Sequence, residues 1–81
     1  MKTVFVIEKT STGYSAYAED FDHIPVGTTG KDMATLKRNI TDALNLYRDH
    51  KGFEPISDKD IHYFTFSVFF NSFTSFKNSL R

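Results

Sequence analysis

The sequence predicts a small α+β domain with the element order β-β-β-α-β, and three observations carry that reading. A contiguous β-branched and aromatic run, Val4-Phe5-Val6-Ile7, opens the chain. One long stretch, Met33 to Tyr47, repeats its apolar residues at helical spacing. A second β-type run, Ile61–Phe66, comes after that helix. With 81 residues there is room for one domain at most. A chain of this size buries only about 60% of its unfolded surface, so its core is thin and association becomes an option.

Lys2–Lys9 reads as the first strand. Its apolar residues are consecutive, which places them on both faces, as in an interior strand with cover on each side. Thr10-Ser11-Thr12-Gly13 is a turn cluster in which Gly13 is free to take positive φ. Tyr14–Ala18 is the returning strand, with Tyr14, Ala16 and Ala18 on one face and Ser15 and Tyr17 on the other. The acidic loop Glu19-Asp20-Phe21-Asp22-His23 follows. A third short strand is expected around Ile24–Thr28, with Pro25 at its first residues or on an edge.

Gly30-Lys31 breaks that strand, and Asp32 suits an N-cap. Met33, Leu36, Ile40, Ala43, Leu44 and Tyr47 then form one apolar stripe, with Lys37, Arg38, Asp42 and Asp49 on the other side. Arg48, His50 and Lys51 bring positive charge to the C-terminal end, and Gly52 suits the position after it. A helix is therefore predicted over Met33–Lys51. Phe53–Asp60, with Pro55, is a loop, and Ile61–Phe66 is the fourth strand. Beyond it the period changes: Phe66, Phe69, Phe70, Phe73 and Phe76 fall at helical spacing, with Ser67 as a cap. A right-handed crossover sets the fourth strand parallel to the first. The expected architecture is a three-stranded antiparallel meander plus one parallel strand over residues 1–66, followed by a short Phe-rich helical tail over 67–81.

Ten Lys plus Arg balance ten Asp plus Glu, which excludes the basic footprint of a dedicated nucleic-acid-binding surface. The absence of cysteine excludes disulfides, thiolate zinc sites and a Cys nucleophile. At 40% hydrophobic and 16% aromatic residues the chain is too apolar for disorder. No secretory signal is visible, and no apolar run reaches the roughly 20 residues of a membrane span. The expectation is a soluble, cytoplasmic protein with no membrane partner.

His23, His50 and His62 show no metal-ligand spacing. His50 reads as a helix C-terminal cation, and His62 as a surface or half-buried strand residue. His23 with Glu19, Asp20 and Asp22 could bind a divalent ion, but the oxygen pattern of such sites is missing and a solvated acidic loop is the simpler reading. Gly27-Thr28-Thr29-Gly30-Lys31 runs from strand to helix as a phosphate loop does, yet misses the required spacing and reads as a turn. Lys37, Arg38 and Arg48 are interrupted by Asp42 and Asp49, as on a solvated helix face. No catalytic constellation, metal site or cofactor site is expected, and the chain does not read as an enzyme.

The stretch Lys2 to Tyr47 resembles the HicB family of type II antitoxins. The likeness rests on the strand Val4–Glu8, on Gly13-Tyr14-Ser15-Ala16-Tyr17, and on the acid-rich loop Glu19–Asp22. It continues through Pro25, Val26, Thr29-Gly30-Lys31-Asp32 and the helix residues Leu36, Ile40, Ala43 and Leu44. The resemblance implies a partial RNase H-like β-β-β-α-β fold. It also implies an antitoxin that binds and blocks a small HicA-like ribonuclease acting on mRNA. Many such proteins carry a C-terminal DNA-binding segment, but Ile61–Arg81 is too short for a complete one, so the tail reads as its incomplete start and operator DNA is a partner only where a full domain exists. Nuclease activity is not expected, because Glu8 and Asp32 do not make the carboxylate cluster that two metal ions need.

Two sites are expected. Glu19, Asp20, Phe21 and Asp22 form the toxin-binding loop, three carboxylates and a ring mimicking phosphate and base; the simpler alternative tucks Phe21 into the core. Phe66, Phe69, Phe70, Phe73 and Phe76 form a homodimer interface, since such a stripe does not stay in water. Two further readings are a stand-alone homo-oligomeric module without a toxin and a nucleic-acid-binding regulator.

Overall fold

The β-branched run at the start of the chain forms strand β1 (Thr3–Lys9), and it is paired on both sides. These relations come from a computed structural model, which describes residues 2–66. On one side β1 pairs antiparallel with β2 (Tyr14–Ala18), which pairs antiparallel with β3 (Gly27–Gly30). Helix α1 (Met33–His50) crosses over, and β4 (Ile61–Phe66) returns parallel to β1 on its other side. The sheet order is β3-β2-β1-β4. The described residues form a small α+β domain with a mixed four-stranded sheet and one α-helix, as the periodicities over residues 1–66 predict. The Phe-rich segment 67–81 lies outside the described residues.

The helix and sheet meet through one face each. Leu36, Ile40 and Leu44 on α1 are buried against Phe5 and Ile7 of β1, Ala16 and Ala18 of β2, Ile61 of β4, and Val26 and Ile56 from the loops. Phe5, Ile7, Leu36 and Ile40 have no exposed surface. Burying each such side chain contributes about 1.5–3 kcal/mol. Along β1, buried Thr3, Phe5 and Ile7 alternate with half-buried Val4, Val6 and Glu8. The cover expected on each side of β1 is therefore supplied on one side only by the described residues.

Two glycines permit the close approach of the strand-to-helix connection. A Cβ at Gly30 would lie 2.6 Å from the Leu36 nitrogen, and one at Gly13 would lie 2.5 Å from the Gly30 oxygen. Gly13 thus serves packing, and the positive φ expected of it is not used. Among the described residues the glycine with positive φ is Gly52, at 78°, just beyond the helix. Asp32 caps the other end, its Oδ1 accepting from the Thr35 amide at 2.8 Å. That bond holds the Asp32 carboxyl below its ordinary range.

Strand β3 occupies Gly27–Gly30 rather than Ile24–Thr28. Residues 24–26 are held in local turns: the Ile24 amide donates to Asp20 O at 2.8 Å and the Val26 amide to Ile24 O at 2.7 Å. Pro25 has no amide to offer a ladder. Helix α1 ends at His50, one residue before the expected Lys51, whose amide turns back to Tyr47 O and Arg48 O.

Polar side chains of α1 fasten the connections. Asn39 Nδ2 donates to Thr29 O at 2.9 Å. Arg48 Nε donates to Glu54 O at 2.7 Å and its guanidinium lies over the Phe53 ring. Asn45 makes two bonds to one residue: Nδ2 donates to Ile56 O at 3.2 Å and Oδ1 accepts from the Ile56 amide at 2.8 Å. Like a rung of a β-ladder, the pair holds Ile56 in the core and turns the chain toward β4. Asn45→Ala strips both partners from a part-buried peptide unit and should destabilise the domain by about 1–3 kcal/mol. A urea titration followed by circular dichroism reads this directly, and an unchanged midpoint would contradict the role given to Asn45.

Candidate functional site

The acidic segment between β2 and β3 is built on a tied base. The sheet pairing runs one residue past β2, with the Glu19 amide donating to Val4 O at 2.8 Å. The chain then makes a single helical turn, in which the His23 and Ile24 amides both donate to Asp20 O, at 3.1 and 2.8 Å. On the far side the Ala18 amide donates to Val26 O at 3.0 Å, and buried Val26 anchors the exit in the core. From the helix, Tyr47 Oη donates to the His23 carbonyl at 3.0 Å. These bonds restrain the loop from four directions.

Its side chains point outward. Glu19, Asp20 and Asp22 are exposed, and Phe21 keeps 49% of its surface in water. Of the two readings of Phe21, a ring tucked into the core and a ring presented at the surface, the structure takes the second. His23 Nδ1 lies 2.9 Å from Asp20 Oδ1. The hydrogen bond to this carboxylate, then its charge, pushes the imidazole pKa above the ordinary histidine range. The arrangement offers carboxylates to cations and a ring to an apolar slot. Among the described residues no group of three or more His, Asp or Glu converges as a metal site would require.

The other sequence candidates fall elsewhere. Gly27–Gly30 is laid out in the β2–β3 ladder, and at the helix N-terminus the Asp32 carboxylate already accepts from Thr35 N. Negative charge thus occupies the place an anion would take. Lys37 lies over the Tyr63 ring at 4.9 Å, and Arg48 faces Phe53 and Glu54, so the helix cations do not form one surface. Glu8 accepts a hydrogen bond from Tyr17 Oη at 3.3 Å. Phe66 closes β4, while Phe69, Phe70, Phe73 and Phe76 lie outside the described residues. No helix of the described residues is long and apolar enough to cross a membrane.

Two contributors were not legible as site residues. Tyr47 belongs to the apolar stripe, and its hydroxyl reaches the loop 24 residues away. The available signal was the hydroxyl itself, since a half-buried phenol needs a partner. Phe64 is 57% exposed on β4, a fact that a strand rich in aromatics does not announce.

Fold and loop together define a small α+β domain, with one α-helix among the described residues, that carries a restrained acidic loop with an aromatic tip. Compared with protein-family models, curated proteins and solved structures, the chain finds no match.

Proposed function

We propose that this chain is a HicB-like antitoxin that binds a small HicA-like mRNA-cleaving toxin and occludes its RNA site with the loop Glu19–Asp22. The observation that carries this reading is the half-exposed Phe21 ring set among three exposed carboxylates on a tied loop. A ribonuclease cleft must attract phosphates, so it is locally positive, and it must accept a base. Carboxylates meet the first requirement of a mimic and the ring meets the second. Charge accelerates and orients the encounter, and the ring supplies desolvated contact. The β-β-β-α-β order and the parallel return of β4 agree with the partial RNase H-like arrangement of that family. In this reading the chain is not an enzyme, needs no cofactor and works in the cytoplasm beside its target.

Expression of the tagged chain with its flanking open reading frames should yield a stoichiometric small basic partner whose RNA cleavage stops on binding. A preparation with no such partner would remove the antitoxin reading. Within the complex, replacing Glu19, Asp20 and Asp22 together by Ala should raise Kd about tenfold or more at low salt, and Phe21→Ala by a similar factor. Isothermal titration at two salt concentrations measures both. An unchanged affinity would move the contact away from this loop.

The pH dependence has a definite sign. Below its raised pKa, His23 is a cation beside Asp20 and offsets one carboxylate of the loop. As pH rises through that pKa the loop gains one net negative charge, while the small stabilisation from the exposed ion pair is lost. Association with a basic partner should therefore quicken as pH rises through and above the ordinary histidine range, and His23→Asn should flatten the profile. Stopped-flow association rates test this, and a rate that falls with pH would contradict it.

A further inference from the structure

We propose that β4 is the contact through which two copies of the chain pair edge to edge, forming one continuous eight-stranded sheet. The inference stands apart from the toxin reading, because it uses the opposite side of the sheet order from the strand that leads into the acidic loop. It shares Phe66 with the interface expected of the stripe Phe66, Phe69, Phe70, Phe73 and Phe76, but rests on the strand edge and on Phe64 rather than on that stripe.

The first observation is the state of the two edges. In the order β3-β2-β1-β4, β4 pairs on one side only, and among the described residues its outer row of amides and carbonyls has no strand partner. Its sequence, Ile61-His62-Tyr63-Phe64-Thr65-Phe66, contains no Lys, Asp, Glu, Pro or Gly. None of the side chains that commonly blunt an edge is present. The other edge, β3, is four residues long, begins and ends in glycine, and lies between Pro25 and Lys31. Only β4 offers a long, uncharged template.

The second observation is the face that α1 leaves bare. Phe64 stands opposite Val6, and Val6 opposite Tyr17, so one row crosses the sheet on the side away from the helix. Phe64 is 57% and Tyr17 37% exposed, and Val6 is half-buried. Antiparallel pairing about a two-fold axis at Phe64 sets the two Phe64 residues side by side. The row Tyr17–Val6–Phe64 then continues into its copy, and the two rings cover each other.

The third observation lies on the helix side of the same edge. An open groove of about 570 Å³ runs there between α1 and the approach to β4, lined by Lys37, Arg38 and Lys59 and by Asp42 and Asp58. Among the described residues these five charges form no ion pair with one another. Its three cations and two acids nearly cancel, so this flank opposes the approach of a second copy with little net charge. The zero net charge of the chain adds no long-range repulsion.

Sedimentation velocity of the full chain over about 1–100 μM tests the proposal. The expected result is a concentration-dependent dimer that Phe64→Lys converts to a monomer with an unchanged circular dichroism spectrum. Leu46→Lys, at a 63% exposed position on the helix, should leave the dimer intact. If Phe64→Lys does not fold, Phe64→Thr is read instead; it keeps a β-branched side chain in the strand but removes the ring, and it should weaken the dimer about threefold or more. A wild-type chain that stays monomeric throughout would overturn the proposal. So would a folded Phe64→Lys chain that still dimerises, a Phe64→Thr chain with undiminished association, or a dimer lost on Leu46→Lys alone.

Discussion

The packing of Leu36, Ile40 and Leu44 of α1 onto Phe5 and Ile7 of β1 is the interaction on which the remainder of the molecule depends. Only one helix is available among the described residues, and it covers one face of the sheet. The buried residues on that face come from β1, β2 and β4 and from two loops, so losing the helix would uncover the whole core. Gly30 and Gly13 let the chain enter α1 close enough for this packing. Asp32 and Gly52 fix where the helix begins and ends.

The same helix then sets the surface. Through backbone carbonyls Asn39 reaches β3, Asn45 and Arg48 reach the loop that leads to β4, and Tyr47 reaches the acidic loop, so loops that carry little apolar area of their own acquire fixed positions. The acidic loop is one of these. Its presentation of Phe21 depends on a helical turn closed on Asp20 O and on the Tyr47 hydroxyl, rather than on burial of its own side chains. One-sided cover has a second consequence among the described residues: Tyr17 and Phe64 are exposed, Val6 is half-buried, and β4 is an edge.

What could be read from the residues follows from how each element is determined. The helix was legible to within one residue because stripe, cap and terminal glycine agree, and the start of β4 was legible to the residue because its β-branched and aromatic run begins right after Asp60. β3 was misplaced because Gly27-Thr28-Thr29-Gly30 has no apolar pattern; its strand character comes from the ladder with β2, in which Ser15 faces Thr29. Ile24 and Val26 looked like strand residues but are apolar because they pack inward from a turn. Consecutive apolar residues on β1 indicated two covered faces, yet identity alone does not say what covers the second. The composition of the acidic loop was plain, while the direction of Phe21 was not, since a loop phenylalanine turns inward or outward according to bonds made by distant residues such as Tyr47.

The central claim is that the restrained acidic loop is the recognition surface. Hydrogen–deuterium exchange of the chain, alone and bound to the small basic partner obtained by co-expression, tests it most directly. New protection is expected over residues 19–24 in the complex, with the outer face of α1 unchanged. Protection confined to α1 or β4, with residues 19–24 exchanging as in the free chain, would contradict it.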